Sequence, residues 1–205
     1  MKYFKYFALI VFTITLFFSC STKGLIKSDF DIKNIQNSEF QNSDSTILFK
    51  TEINIFKNEF SGITVIKPTE NQSHRIVFLN EVGMKFFDLE ISNDTFIVHQ
   101  MFEPLNKKSF INMLVSDFKT MLFYEIDIDN SQIYQSQKTK YFVLKSENKR
   151  TFYYLNNDFY YHSIIKKSFL RTVQKFNFIY NPQNMFKEIY IEHKNINFEM
   201  NFERI

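Results

Sequence analysis

Ile47-Leu48-Phe49-Lys50-Thr51-Glu52-Ile53-Asn54-Ile55 alternates residue by residue. Side chains of an extended chain point to opposite faces in turn, so Ile47, Phe49, Thr51, Ile53 and Ile55 share one side of a half-buried strand while Lys50, Glu52 and Asn54 occupy the other. The same alternation recurs at residues 62–67, 74–79, 84–91 and 95–101, separated by short polar or turn-like segments. Successive strands joined in this way form an antiparallel meander.

The period then changes. From Asn106 to Phe123, residues Phe110, Leu114, Phe118, Met121 and Leu122 fall at helical spacing, with Lys107, Lys108, Asn112 and Lys119 between them. This predicts one amphipathic helix of about five turns, with Asn106 as its N-cap, long enough to cover a sheet face. Alternation resumes at 132–137, 139–146, 149–155 and 160–165, continues through a long strand at 169–180, and ends with 186–193 and 195–202. In the last of these, Ile196, Phe198, Met200 and Phe202 alternate with Asn197, Glu199, Asn201 and Glu203. A dozen antiparallel strands around a single helix predict a mainly β (α+β) fold, a strongly curved antiparallel sheet or unclosed β-barrel with the helix as lid. The inner face so defined includes Phe49, Ile53, Ile76, Phe78, Phe86, Phe110, Leu114 and Phe118, which form either a packed core or the lining of a ligand cavity.

Ahead of this domain, residues 46–205, lies a different kind of chain. Lys2 and Lys5 precede an apolar run of 13 residues, Tyr6 to Phe18, followed by Ser19 and then Cys20, the only cysteine. A hydrocarbon core needs roughly 20 apolar residues for a spanning helix, so residues 1–19 read as a signal peptide. A lone thiol in a secreted chain is free, paired between chains or chemically used, and its place behind the signal supplies the use: lipidation of Cys20. Acylation there would anchor the protein in a membrane through several fatty chains. Residues 20–45, polar and rich in Ser, Asn and Asp, read as the lipidated cysteine and a tether, with a short helix between Ile32 and Phe40.

Composition excludes several functions. Loss of Lys2 and Lys5 with the signal lowers the formal charge of +3 to +1, which calls for no nucleic acid. Twenty-seven Phe, eleven Tyr and no Trp accompany abundant Lys, Asn and Ile, a set with AT-rich codons, so the Phe count alone marks no binding surface. Three glycines, Gly24, Gly62 and Gly83, cannot build a phosphate loop or a nucleophile elbow. His74, His99, His162 and His193 lie on separate predicted strands without ligand spacing and read as scattered surface residues rather than a metal site. Glu125, Asp127 and Asp129 lack the spacing of a calcium loop and read as a solvated face. No enzyme, cofactor or metal is expected beyond the covalent lipid on Cys20.

One local feature stands apart. The turn Asn80-Glu81-Val82-Gly83 joins two clear strands and puts an apolar residue at a hairpin tip. The segment from His74 to Leu89, with this turn at its centre, resembles the central hairpin of the LolA/LolB-like family, in which an apolar strand runs into an Asn-Pro-Leu-Gly-like turn and a second strand. Here Val82 stands in place of the leucine and Glu81 in place of the proline. The following short strand, the amphipathic helix, Tyr180-Asn181-Pro182 and the paired C-terminal strands repeat the family's order of elements.

The resemblance implies an unclosed barrel whose apolar interior receives acyl chains, with Val82 and Gly83 forming a loop that inserts into membrane or cargo. It further implies an outer-membrane lipoprotein facing the periplasm. Its expected partners are acylated lipoproteins, a soluble periplasmic carrier of LolA type, and membrane lipid through Cys20. The absence of an acidic cluster in Ser21-Thr22-Lys23-Gly24 agrees with that inward orientation. The alternative is a non-catalytic structural or interaction lipoprotein of the envelope with a filled core.

Overall fold

The computed structural model describes residues 25–28, 39–42, 45–69, 72–122, 131–136, 141–146, 150–169 and 171–205. Cys20, the signal segment and the acidic run at 125–129 lie outside these residues. Thirteen strands form one sheet: β1 (Leu25–Lys27), β2 (Ile47–Ile55), β3 (Asn58–Pro68), β4 (His74–Leu79), β5 (Lys85–Ile91), β6 (Phe96–Met101), β7 (Ser131–Ser136), β8 (Phe142–Ser146), β9 (Thr151–Leu155), β10 (Tyr161–Ser168), β11 (Arg171–Tyr180), β12 (Phe186–His193) and β13 (Phe198–Arg204). Two helices accompany them, α1 (Glu39–Asn42) and α2 (Lys108–Met121).

The spatial order β1-β7-β8-β9-β10-β11-β12-β13-β2-β3-β4-β5-β6 consists of two meanders, β7 to β13 and β2 to β6, joined where β13 pairs with β2, Phe198 opposite Ile55 and Arg204 opposite Phe49, with β1 added at the β7 edge. Every neighbouring pair is antiparallel. The architecture is a large unclosed antiparallel sheet with one long helix over its concave side, as the alternation and the single period change require. On β2 the expected face, Ile47, Phe49, Thr51, Ile53 and Ile55, is buried, and the alternate residues are exposed.

α2 turns Phe110, Leu114, Phe118 and Met121 inward, a stripe at three- and four-residue steps. The Phe118 ring meets Phe87 edge-on at 5.8 Å and Phe202 at 6.2 Å, and Phe110 meets Phe198 at 5.8 Å, so the helix bridges the two meanders. Its start differs from expectation. A 3-10 turn at Glu103–Leu105 contains Pro104 and draws the Asn106 amide back to the Glu103 carbonyl at 3.0 Å. Lys107 is therefore the N-cap, with an extended backbone and no side-chain cap bond.

Part of the expected tether belongs to the fold. Residues 25–27 pair with β7, Leu25 opposite Ser136, and Phe40 on α1 is 2% exposed, stacked on Phe186 at 5.0 Å. Around it His74 Nε2 donates to the Phe40 carbonyl at 3.0 Å, and Glu39 accepts both the Phe186 amide at 3.0 Å and the Arg204 guanidinium. The polar composition of the segment concealed one aromatic that fills a slot in the core.

A bulge corrects one face assignment. Phe78 pairs with Phe87 but Leu79 pairs with Lys85, which leaves Phe86 as an extra residue on β5. The bulge lets consecutive phenylalanines 86 and 87 both turn into buried surroundings, where strict alternation would expose one of them.

Candidate functional site

Strand direction divides the loops between two rims. One rim carries the β2–β3 turn at Phe56, the Asn80–Met84 turn, the segment from Phe102 to Lys107, the β10–β11 turn at Phe169 and the β12–β13 turn at Lys194–Asn197. The other carries the turns near residues 69–73, 92–95, 156–160 and 181–185. Leu25 enters the sheet on that second rim, because it pairs with Ser136 at the far end of β7.

A cavity of about 660 Å³ opens on the first rim, between the β2–β3 hairpin and the start of α2. Its walls are apolar: Ile55, Phe60, Phe102, Leu105, Phe110 and Met113, with Phe56, Pro104 and Ile196 near the edge. Its polar lining residues are Asn58, Lys107 and Ser109, all exposed, so polarity is confined to the lip. Behind the wall, Phe86 packs edge-on against Phe60 at 5.0 Å and Phe102 at 5.6 Å, and stacks on Phe78 at 5.1 Å. Phe56 is 65% exposed at the hairpin tip and holds φ 54°, a left-handed conformation unfavourable for a bulky side chain.

Of the eight residues expected to line a cavity, Phe110 does so. Phe49, Ile53, Ile76, Phe78, Leu114 and Phe118 are packed in the hydrophobic core, and Phe86 backs the wall from behind. The physical reason is volume: phenylalanines from β2, β5, β13 and α2 meet one another in the centre of the sheet, and the described cavity lies at its mouth. Phe60, Phe102 and Leu105 escaped sequence reading because they lie at or near element ends, where periodicity is weakest, and Met113 because it sits within α2 beside the Phe110-Leu114-Phe118 stripe.

Val82 is on the same rim, 88% exposed. Asn80 builds the turn, its Oδ1 accepting the Val82 amide at 3.2 Å and the Met84 amide at 2.8 Å, while Gly83 supplies φ 84°. The fold uses the same device twice more: Asn156 Oδ1 accepts the amides of Asp158 and Tyr160, and Asn181 Oδ1 those of Gln183 and Met185. At the outward position those turns carry Asp158 and Gln183. The geometry thus asks for nothing apolar there, and Val82 is a departure that turn chemistry does not explain.

A buried polar cluster ties α2 to the sheet. Asp117, 1% exposed, accepts a hydrogen bond from Gln174 Nε2 and lies 2.8 Å from His193 Nε2. Burial pushes the Asp117 carboxyl above its usual range, opposed by its bonds to His193 and Gln174. Sequence periodicity assigned none of the three to the interior. His74 too is buried rather than superficial, and its burial lowers its pKa against the pull of the Phe40 carbonyl. His99 bonds Glu90 at 3.1 Å and His162 stacks on Tyr141 at 4.7 Å.

Neither a family model nor a curated protein matches the sequence. Solved structures do. A LolA superfamily protein from Nitrosomonas europaea aligns over 88% of this chain and 92% of its own, at 9% identity and TM-score 0.50. A DUF1329 family protein from Desulfovibrio piger aligns over 80% and 85%, at 7% identity and TM-score 0.47. An outer membrane lipoprotein-sorting protein domain from Vibrio parahaemolyticus aligns over the same shares, at 6% identity and TM-score 0.42. At these identities the likeness is one of fold: the chain has the LolA-like open sheet with a helix over it.

Proposed function

We propose that this chain is a non-catalytic envelope lipoprotein, anchored in the outer membrane through acyl groups on Cys20 and facing the periplasm. In this reading it takes up acyl chains of lipoproteins from a soluble carrier of LolA type and assists their insertion. The observation that carries the reading is the apolar cavity at the mouth of a LolA-like sheet, polar only at its lip. No bond is broken. Apolar walls hold a chain by excluding water from it, at about 0.8 kcal/mol for each buried methylene, and a bilayer offers the same environment on release.

Val82 serves the cargo side in this scheme. Leu25 is on the rim opposite Val82, and the five residue steps from Cys20 to Leu25 span at most about 17 Å. Strands of up to 11 residues separate the rims by as much as roughly 36 Å along a strand. An anchored barrel standing upright on its lipid therefore presents Val82 and the cavity to an arriving carrier, and it tilts to bring them to the bilayer for release.

Photo-crosslinking in cells tests the reading. Photoreactive residues at Met113 and Val82 of the full chain are expected to capture acylated lipoproteins, and one at Gln183 on the opposite rim is not. Capture at Gln183 alone, or at none of the three, overturns it. The filled interior around Phe49, Phe118 and Phe202 supports the second reading, an interaction lipoprotein with a closed core, and that outcome would select it.

A further inference from the structure

We infer that the rim cavity takes a single-chain amphiphile with an anionic head group, one molecule at a time, with the chain along Phe60, Phe102 and Met113 and the head at Lys107. This rests on the acyl-binding reading of the cavity and narrows it to a ligand class. Two independent features of the cavity support it, its volume and the distribution of its polarity.

Volume limits the number of chains. A methylene group takes up about the same space as a water molecule in the liquid, roughly 30 Å³, so 660 Å³ holds on the order of 20 such groups. One chain of about 16 to 18 carbons fills it with its head at the lip; three chains need about three times the space. Among the described residues below it, Phe78, Leu114 and Phe118 are packed in the core. A triacylated cargo would thus place one chain in the cavity and leave the others to be accommodated elsewhere, whereas a free single-chain lipid fits whole.

Polarity names the head group. Lys107 is the one charged residue of the lining, it is exposed, and it makes no ion pair among the described residues. Glu59 and Glu103 share the rim but are not in the lining, and Glu103 accepts a bond from Asn106 Nδ2. Lys107 also opens α2, whose first turn has neither a side-chain cap nor an acidic residue. The lip therefore offers an ammonium and a helix start of the same sign, with Asn58 and Ser109 as further hydrogen-bonding groups. A carboxylate or phosphate head satisfies all of these; a neutral alcohol cannot pair with the ammonium, and a cationic head is repelled.

The chain contains no tryptophan, which makes a clean test available. In the full chain reconstituted in nanodiscs, Phe102→Trp places a single reporter in the cavity wall, and brominated lipids quench it on close approach. Dibromostearate is expected to quench saturably at one equivalent. The corresponding dibrominated alcohol should bind about fivefold more weakly, a two-chain brominated phospholipid should not quench, and Lys107→Gln should bring the acid down to the alcohol. A parallel series with Leu105→Trp guards against a fold defect in the first variant. Equal binding of acid and alcohol, or quenching by the two-chain lipid as strong as by the acid, overturns the ligand class while acyl binding stands. If no brominated chain quenches either reporter, the acyl-binding reading falls with it.

Discussion

Replacing Asp117 measures what holds the helix against the sheet. Asp117→Ala removes the acceptor of the buried Gln174 amide on β11 and the partner of His193 on β12, and leaves those two only each other, at 3.0 Å. Losing the carboxylate partner costs each of the two groups roughly 1 to 3 kcal/mol, and the loss is partly offset because a carboxyl that burial disfavours is no longer buried. The expected net loss is about 3 kcal/mol. With a urea dependence of about 2 kcal/mol/M for a domain of this size, the midpoint should fall by roughly 1.5 M. Asp117→Asn keeps an oxygen for Gln174 and turns an N–H toward His193, so its loss should stay near 1 kcal/mol. Urea unfolding followed by far-UV circular dichroism reads both, and hydrogen exchange of the α2 amides localises the effect. An alanine variant within 0.5 kcal/mol of the parent, or an asparagine variant as unstable as alanine, would refute the view that these hydrogen bonds seat the helix.

The same carboxyl gives a pH dependence. Its folded pKa is raised, so between the unfolded carboxylate value and the raised value the folded state holds the extra proton, and its contribution to stability is lost as pH rises through that window. Asp117→Ala should remove this slope. His74 acts in the opposite sense: its folded pKa is lowered by burial, so its contribution is present above the ordinary histidine value and is lost as pH falls below it. Unfolding curves of the parent and His74→Gln across pH 5 to 7 should differ in slope, and parallel curves count against a neutral buried imidazole. Gly62→Ala should destabilise by about 2 kcal/mol or more, since its Cβ would meet the Leu79 carbonyl oxygen at 2.0 Å and force β3 and β4 apart. A calorimetric midpoint unchanged from the parent would show that the strands can shift at no cost.

The elements were legible because they are governed by local chemistry. The stretches at 74–79 and 186–193 are strands with the bounds their alternation gives, and the Asn80 turn follows from Asn and Gly at fixed offsets. Departures occur where a competing turn or a distant partner intervenes. Pro104 and the 3-10 turn moved the start of α2 from Asn106 to Lys107, the bulge at Phe86 broke the two-residue period, and Phe40 found a slot beside Phe186 that no local pattern announces. The cavity was only partly legible. Phe110 was identified, but it meets wall residues from the β2–β3 hairpin and Ile196, segments far from α2 in the chain.

By itself, then, the sequence determined the inventory: strands and their inner faces, one amphipathic helix, and the Asn-Gly turn that presents Val82. These follow from side-chain alternation and backbone preference, which act within a few residues. Tertiary structure alone decided the pairing of β13 with β2, the meeting of Asp117, Gln174 and His193, and the rim on which the opening lies. Each of these depends on packing between parts of the chain that no short window contains. Whether an apolar face becomes core or cavity is settled by the volume that the facing side chains fill: around Phe49, Phe118 and Phe202 they form core, and around Phe110 and Met113 they leave a cavity.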